Sequence, residues 1–282
     1  MRIEVKPMDT SIGAEIRGID LSKLEPKDAI ELKKAWLNHQ VLVFRDMHIT
    51  ADEQRHLVSC FGELQQPRSK IQRANPDILY VANVSVDGDE GQLPEGDMQF
   101  HTDQCYYESP TAGAVLYALE IPTKGGNTMF ADLYGAYETL SPGMKRRLEG
   151  LNILFAYDYV KNAYHRGKLP ETAPRYVHPA VITHPGTGRA ALFVNRLMAE
   201  RVVGLPEAES EALLTELFDY VEQRRFIYEH VWSKHDLVVW DNFSTLHART
   251  DFDPAERRVL RRMAIRGTRP AAYRTEAIVA AS

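Results

Sequence analysis

The segment Phe100-His101-Thr102-Asp103 places an imidazole and a carboxylate two positions apart. In a β-strand, residues two apart project to the same side, so His101 and Asp103 could present both groups to one point. One more histidine would give two imidazoles and one carboxylate on one face of an octahedron, which suits non-haem iron(II) and oxygen chemistry. In a chain with 10 histidines such a triplet arises easily by chance. The assignment therefore depends on the rest of the chain.

A histidine that could complete this set lies far downstream. The strand-like run from Trp240 to His247 ends in a histidine, and Arg258 follows within a cluster of arginines. From about residue 5 to about residue 270 the sequence resembles the taurine/2,4-dichlorophenoxyacetate dioxygenase family of iron(II)- and 2-oxoglutarate-dependent enzymes. The resemblance implies that His101, Asp103 and His247 hold Fe(II) and form the catalytic centre.

The resemblance also implies that 2-oxoglutarate and O2 are consumed. Arg258 matches the arginine that binds the distal carboxylate of 2-oxoglutarate, and Thr128 matches a threonine that hydrogen-bonds this cosubstrate. The chemistry agrees, because a carboxylate is well held by a forked guanidinium and a hydroxyl. The glycine pair before Thr128 would let the backbone turn sharply.

Four residues are predicted to bind the prime substrate. Arg262 lies four positions beyond Arg258, and in family members that oxidise anionic substrates this position holds an arginine that grips a sulfonate or carboxylate. The alternative for Arg262 is a surface ion pair of little energetic value. Asn83, Asp97 and Phe100 are predicted to line the substrate pocket. Asp97 could instead bind an amino group or cap the loop before the metal strand.

The predicted function is hydroxylation of a small anionic substrate, a sulfonate, carboxylate or sulfate, with release of succinate and CO2. Hydroxylation beside a heteroatom gives an unstable product, so C–S or C–O cleavage could follow. One alternative is a biosynthetic hydroxylase of an amino-acid-like substrate, which Asp97 would serve. A zinc hydrolase could use the same three ligands but leaves Arg258 and Thr128 unexplained. A non-catalytic jelly-roll binding protein would be expected to lack a ligand.

Hydrophobic patterning predicts which elements carry these residues. Helices are expected at residues 27–39, 51–61, 141–151 and 207–223, with the spacing of a capping box at Thr50 and Glu53. Short strands are expected at 40–44, 78–84, 114–121, 128–131, 176–183, 190–194, 237–240 and 259–265. Short strands separated by turn signals favour an antiparallel sandwich or barrel. With the resemblance, this predicts a mainly β fold with flanking helices around a double-stranded β-helix (jelly-roll) core. We expect one domain over residues 1–282, with an active-site loop insertion near 155–175.

Composition restricts the partners. A net charge of −5 and a pI near 6.1 give no electrostatic case for nucleic-acid binding, so a small-molecule substrate is expected. Two widely spaced cysteines indicate neither a disulfide framework nor a zinc knuckle, which fits a cytoplasmic protein. No apolar run is long enough for a membrane span. Family members often form dimers or tetramers, so a homo-oligomer is expected.

Overall fold

The structure, a computed structural model, describes residues 3–66, 68, 75–93, 96–157 and 169–274. In this part of the chain the α-helices are α1 (Pro26–His39), α2 (Ala51–Ser59), α3 (Leu133–Glu138), α4 (Pro142–Leu148) and α5 (Glu207–Val221). The strands are β1 (Glu4–Pro7), β2 (Ala14–Arg17), β3 (Val41–Phe44), β4 (Leu79–Ala82), β5 (Met98–His101), β6 (Gly113–Glu120), β7 (Thr128–Asp132), β8 (Asn152–Ala156), β9 (Arg175–Pro179), β10 (Val181–Thr183), β11 (Ala190–Leu192), β12 (Ala199–Val202), β13 (Ile227–His230), β14 (Leu237–Asp241), β15 (Thr245–Arg249), β16 (Val259–Ile265) and β17 (Ala271–Ala272).

A seven-stranded sheet forms one layer of the fold, in the order β1-β2-β3-β14-β6-β16-β4. Its strands pair antiparallel except for β2 and β3. Alternate side chains point to opposite faces, so Leu42, Val239 and Val115 pack on one side with Leu32 and Leu57 from helices α1 and α2. This face therefore belongs to a core covered by the two N-terminal helices.

A four-stranded antiparallel sheet, in the order β13-β7-β15-β5, forms the facing layer. Phe130 of β7 meets Trp240 of β14 with ring centroids 5.7 Å apart. Both belong to a core shared by the inner faces of the two sheets. The outer face of the small sheet carries Ala131 and Leu246 into a separate core with helices α3 and α5. The site described below lies between the two inner faces.

Local sequence signals explain where helix α2 begins. The Thr50 hydroxyl accepts a hydrogen bond from the Glu53 backbone N–H at 3.2 Å, and the Glu53 carboxylate accepts one from the Thr50 N–H at 2.8 Å. This reciprocal pair satisfies amides that the first helical turn leaves without partners. The capping box predicted at these residues is therefore present.

The prediction of a mainly β fold with flanking helices is confirmed, and the two facing sheets agree with a jelly-roll core. The predicted strand at 176–183 is in fact two strands, β9 and β10, separated at Ala180. The proposed loop insertion at 155–175 falls largely on residues 158–168, which lie outside the described residues. None of the described helices has the length and apolar content needed to cross a lipid bilayer.

Candidate active site

Two imidazoles face each other across neighbouring strands of the small sheet. His101 ends β5 and His247 lies in β15, and the antiparallel register pairs them directly. Their ring centroids are 4.0 Å apart. His101 Nδ1 lies 2.9 Å from the carbonyl oxygen of Gln99, which can only accept, so this nitrogen carries the proton. Nε2 of His101 is therefore left with a lone pair for a metal.

The third predicted ligand, Asp103, lies beyond the end of β5 rather than on the strand. The prediction that Asp103 projects from a strand is therefore wrong, although its carboxylate still lies close to both imidazoles. Asp103 Oδ1 is 3.9 Å from His101 Nε2, and Oδ2 is 3.7 Å from His247 Nε2. One ligand atom of each residue lies within 4.8 Å of the others, and the described residues contain no other such group.

The protonation states of these three side chains suit metal binding. Burial lowers the pKa of His101. Burial, with the neighbouring His101, lowers the pKa of His247 to about 3. Burial alone would raise the pKa of Asp103, but the charge of Arg262 and the two imidazoles outweigh it and hold this pKa well below its usual range. Two neutral imidazoles and one carboxylate form a donor set that fits Fe(II) with open coordination positions.

Arg258 lines the same cavity as the metal ligands and is almost fully buried, with 2% of its surface exposed. Its Nε donates to the carbonyl oxygen of Gly126 at 3.0 Å, while its Nη1 has no hydrogen-bond partner among the described residues. Burial, and then the charge of Arg249, lowers the pKa of Arg258 to about 9, so it is charged at neutral pH. A buried guanidinium with an unused donor requires an anion. A carboxylate of 2-oxoglutarate fits this requirement.

The backbone before Thr128 allows Arg258 to approach closely. Gly126 has φ +65°, a conformation that favours glycine. A Cβ at this position would lie 3.0 Å from both Cδ and Nε of Arg258. The glycine predicted to allow a sharp turn therefore also leaves room for the arginine.

The metal ligands, Thr128 and Arg258 line one cavity of about 370 Å³. Its charged lining residues are Arg68, Asp77, Asp103, Arg249, Arg258 and Arg262. Asp77 is neutralised by Arg55, which contacts both carboxylate oxygens. The four arginines thus outnumber the acids and favour anionic ligands. The apolar and aromatic lining residues are Pro76, Ile78, Leu79, Val81, Leu93, Met98, Tyr106, Tyr107, Leu116, Tyr157, Leu197, Met198, Trp240, Ala248 and Ala264.

Arg262, the predicted substrate anchor, lies in the same cavity and contacts a metal ligand. Its Nη2 donates to Asp103 Oδ2 at 2.7 Å. Both side chains are largely buried, with 13% and 19% of their surfaces exposed. Arg262 is therefore not a surface ion pair, and it places a positive charge next to the metal ligands.

The other three predicted substrate residues are not brought to the cavity. Phe100 precedes His101 on β5, so its side chain points to the opposite face and packs in the outer core. Asn83 is engaged by backbone, accepting from Arg258 N–H at 2.9 Å and donating to the Glu256 carbonyl oxygen at 2.8 Å. Asp97 accepts from the Asp251 N–H at 2.6 Å. Their positions do not support the prediction that they bind substrate.

The structure adds two residues that sequence reasoning missed. Arg249 lines the cavity and pairs with Thr128 in the sheet register. It lies two positions after His247 on β15, so strand periodicity could have placed it on the same face. Trp232 donates its indole N–H to the Thr128 hydroxyl at 3.0 Å, a contact that no pattern in the sequence indicates.

Comparisons with known proteins agree with this arrangement. The sequence model of the family described as "Taurine catabolism dioxygenase TauD, TfdA family" matches residues 4–264. The (S)-phenoxypropionate/alpha-ketoglutarate-dioxygenase of Sphingobium herbicidovorans is 33% identical over 270 residues, covering 91% of this chain and 92% of the relative. The alpha-ketoglutarate-dependent 2,4-dichlorophenoxyacetate dioxygenase of Cupriavidus pinatubonensis is 32% identical, covering 93% and 97%. The crystal structure of AAD-2 in complex with Mn(II) and N-oxalylglycine superposes with a TM-score of 0.82 at 27% identity, covering 96% of this chain and 100% of the other.

Proposed function

The chain belongs to the taurine catabolism dioxygenase TauD, TfdA family and is a 2-oxoglutarate-dependent dioxygenase that uses Fe(II) and O2, and we propose here which substrate it oxidises and which residues bind it. We propose that it hydroxylates a small anionic substrate with an apolar body. His101, Asp103 and His247 hold the metal, Arg258 and Thr128 seat 2-oxoglutarate, and Arg262 binds the anionic group of the substrate.

The observation that carries this proposal is the buried Nη1 of Arg258, which has no partner among the described residues and lies on the same cavity as the metal ligands. A bidentate guanidinium orients a carboxylate as well as attracting it. Arg258 would thereby fix the far end of 2-oxoglutarate, so that its oxo-acid end meets the metal site.

Fe(II), when bound by these residues, would supply the oxidative chemistry, in which one oxygen atom of O2 enters the substrate and the other enters succinate as CO2 is released. The residues of this chain bind the metal, 2-oxoglutarate and the substrate and orient them. The two imidazoles and Asp103 leave coordination positions open. Arg258 and Arg262 are largely buried in this lining, which strengthens their attraction for bound anions.

The lining of the cavity supports a substrate larger and less polar than a simple sulfonate. Tyr106 and Tyr157, which line the cavity, stack with ring centroids 5.6 Å apart. Leu197 and Met198 line the same cavity. Apolar walls with a few placed charges are typical of sites for mixed ligands. The substrates in the names of the two relatives, phenoxypropionate and 2,4-dichlorophenoxyacetate, have this character.

Hydroxylation of an aryloxy carboxylate at the carbon beside the ether oxygen would lead to C–O cleavage. The hydroxylated carbon then carries two oxygens, and it expels a phenol as its hydroxyl becomes a carbonyl. An amino-acid-like substrate is less well supported, because Asp97 is bonded to the Asp251 backbone and does not line the cavity. Family membership removes the zinc hydrolase and the non-catalytic binding protein.

The test is substrate-dependent succinate release. Purified protein with Fe(II), 2-oxoglutarate and O2 is given aryloxy carboxylates, taurine, small sulfates and amino acids, and succinate and phenol are measured. We expect aryloxy carboxylates to stimulate succinate release and to yield an equal amount of phenol. Stimulation by taurine or an amino acid alone would show that the proposed substrate class is wrong.

A further inference from the structure

The hydroxyl of Thr128 accepts a hydrogen bond from the indole of Trp232. Trp232 Nε1 donates to Thr128 Oγ1 at 3.0 Å. Both residues are buried, with 7% and 4% of their surfaces exposed. Trp232 is the only hydrogen-bond partner of this hydroxyl in the described part of the chain.

The direction of this hydrogen bond is fixed by chemistry. An indole nitrogen can donate but cannot accept, whereas a threonine hydroxyl can do both. The Thr128 oxygen must therefore accept from Trp232. Its own hydrogen cannot lie along that bond, and it remains available to a second partner.

Neighbouring side chains fix the position of the Trp232 indole. Its ring packs against His230 at 4.5 Å between centroids in an edge-to-face arrangement. His230 is in turn bonded through Nδ1 to the Tyr228 hydroxyl at 3.0 Å. Thr128 lies on the cavity wall with Arg258, while Trp232 is not among the lining residues. Trp232 can therefore act on a ligand through Thr128 without touching it.

We propose that Trp232 is a positioning residue that commits the Thr128 hydroxyl to donating its hydrogen to a carboxylate of 2-oxoglutarate. A hydroxyl facing a carboxylate must donate, because two acceptors repel each other. A hydroxyl already turned the right way loses less rotational freedom on binding. The inference rests on the proposed function, since it takes Thr128 and Arg258 as the cosubstrate seat.

The experiment is calorimetric binding of N-oxalylglycine to the Mn(II)-loaded protein. Trp232→Phe keeps an aromatic ring but removes the donor, and we expect it to weaken N-oxalylglycine binding about 5- to 10-fold. Thr128→Val should weaken it about 10- to 100-fold, since a bond to a charged group is lost. In the Thr128→Val background, Trp232→Phe should add less than about 2-fold, because the two residues act as one unit. The affinity for Mn(II) itself should not change.

Trp36→Phe is the matched control, because Trp36 is also buried but belongs to helix α1, packs in a different core and does not line the cavity. It should leave N-oxalylglycine binding unchanged. Full binding by Trp232→Phe, or an effect that adds fully to that of Thr128→Val, would overturn the inference. If instead Thr128→Val and Arg258→Ala both bind normally, the proposed cosubstrate seat itself is wrong.

A second measurement covers the case in which Trp232→Phe does not fold. In the wild-type protein the indole N–H of Trp232 should exchange slowly with solvent, as followed by nuclear magnetic resonance. In Thr128→Val, which removes its acceptor, exchange should be faster, while Thr128→Ser should retain the protection. Equal exchange in wild type and Thr128→Val would contradict the hydrogen bond on which the inference depends.

Discussion

The side-chain amide of Asn242 bonds to both main-chain polar groups of Asp103. Its Oδ1 accepts the Asp103 N–H at 2.9 Å, and its Nδ2 donates to the Asp103 carbonyl oxygen at 3.0 Å. Asn242 begins the turn between β14 and β15, and β15 carries His247. One amide therefore ties the carboxylate ligand, which lies beyond its strand, to the segment that delivers an imidazole.

Asn242→Ala should loosen this link. Because the amide is fully buried and also donates to Thr111, its loss should cost about 2–4 kcal/mol in the free energy of unfolding. Metal affinity should fall about 10-fold or more, as is usual when groups that orient metal ligands are removed. The measurements are urea unfolding and Mn(II) calorimetry.

Asn195→Ala provides the control for that variant. Asn195 is also buried and accepts the Met198 N–H at 2.8 Å, but its side chain does not bond to a metal ligand residue. It should lower stability and leave Mn(II) affinity intact. Normal metal binding by Asn242→Ala would show that the link to Asp103 has no role in the site.

Gly126→Ala should disturb the cosubstrate seat. A methyl group there would meet Arg258 and would also strain a backbone with φ +65°. We expect weaker binding of 2-oxoglutarate by about 10-fold, since the guanidinium must shift by a few tenths of an ångström. The apparent KM for 2-oxoglutarate measures this.

Gly188→Ala is the control that distinguishes backbone strain from contact with a neighbouring side chain. Gly188 has φ +72°, but an added Cβ would meet nothing within 4 Å. This variant should lose stability without a change in the KM for 2-oxoglutarate. Equal KM changes in the two variants would assign the effect to backbone strain alone.

Arg262→Gln should damage binding of the prime substrate more than binding of 2-oxoglutarate. The loss of a buried charge-assisted contact should raise the KM for the prime substrate about 10- to 100-fold. Arg257→Gln, in the same arginine cluster but exposed and paired with Glu120, should change neither KM. Parallel increases in both KM values for Arg262→Gln would argue against a substrate anchor.

Mild acid should destabilise the protein partly through His230. Burial lowers the pKa of His230 from its usual 6.5, despite Asp236 Oδ2 at 3.3 Å. The unfolded state therefore binds a proton more readily, so this contribution to stability is present above pH 6.5 and is lost as the pH falls below it. His230→Gln should flatten the pH dependence of the unfolding free energy by at most about 1.4 kcal/mol per pH unit.

The control for His230→Gln is the exposed residue His56, whose change to Gln should leave the slope as in wild type. Urea unfolding between pH 5 and pH 8 provides the measurement. If the unfolding free energy of His230→Gln depends on pH as steeply as that of wild type, the acid sensitivity arises from other groups.

Short-range signals predicted much of the fold. The Thr50 and Glu53 capping box sets the start of helix α2, and β-branched apolar runs mark strands such as β3, because these signals act over a few residues. The pairing of His101 with His247 depends on strand register across most of the chain. Local sequence patterns do not encode that register. Only the family resemblance predicted that His101 and His247 lie close together.

Three of the predicted substrate residues lie outside the cavity for physical reasons. Phe100 is next to His101 in the sequence, but adjacent residues of a strand point to opposite faces. Asn83 and Asp97 are polar residues near the site whose side chains satisfy loop backbone instead. Trp232 could not be found from the sequence, because its contact with Thr128 joins the segment after β13 to the first residue of β7.

His101 and Asp103 are far from His247 in the sequence, yet the three side chains lie together where they could hold one metal ion in the cavity that Arg258 also lines. The most direct test is anaerobic calorimetric titration of metal-free protein with Fe(II), in wild type and in His101→Ala, Asp103→Ala and His247→Ala. We expect one ion per chain in wild type and no measurable binding in the variants. Wild-type affinity in any variant that remains folded would contradict this metal site.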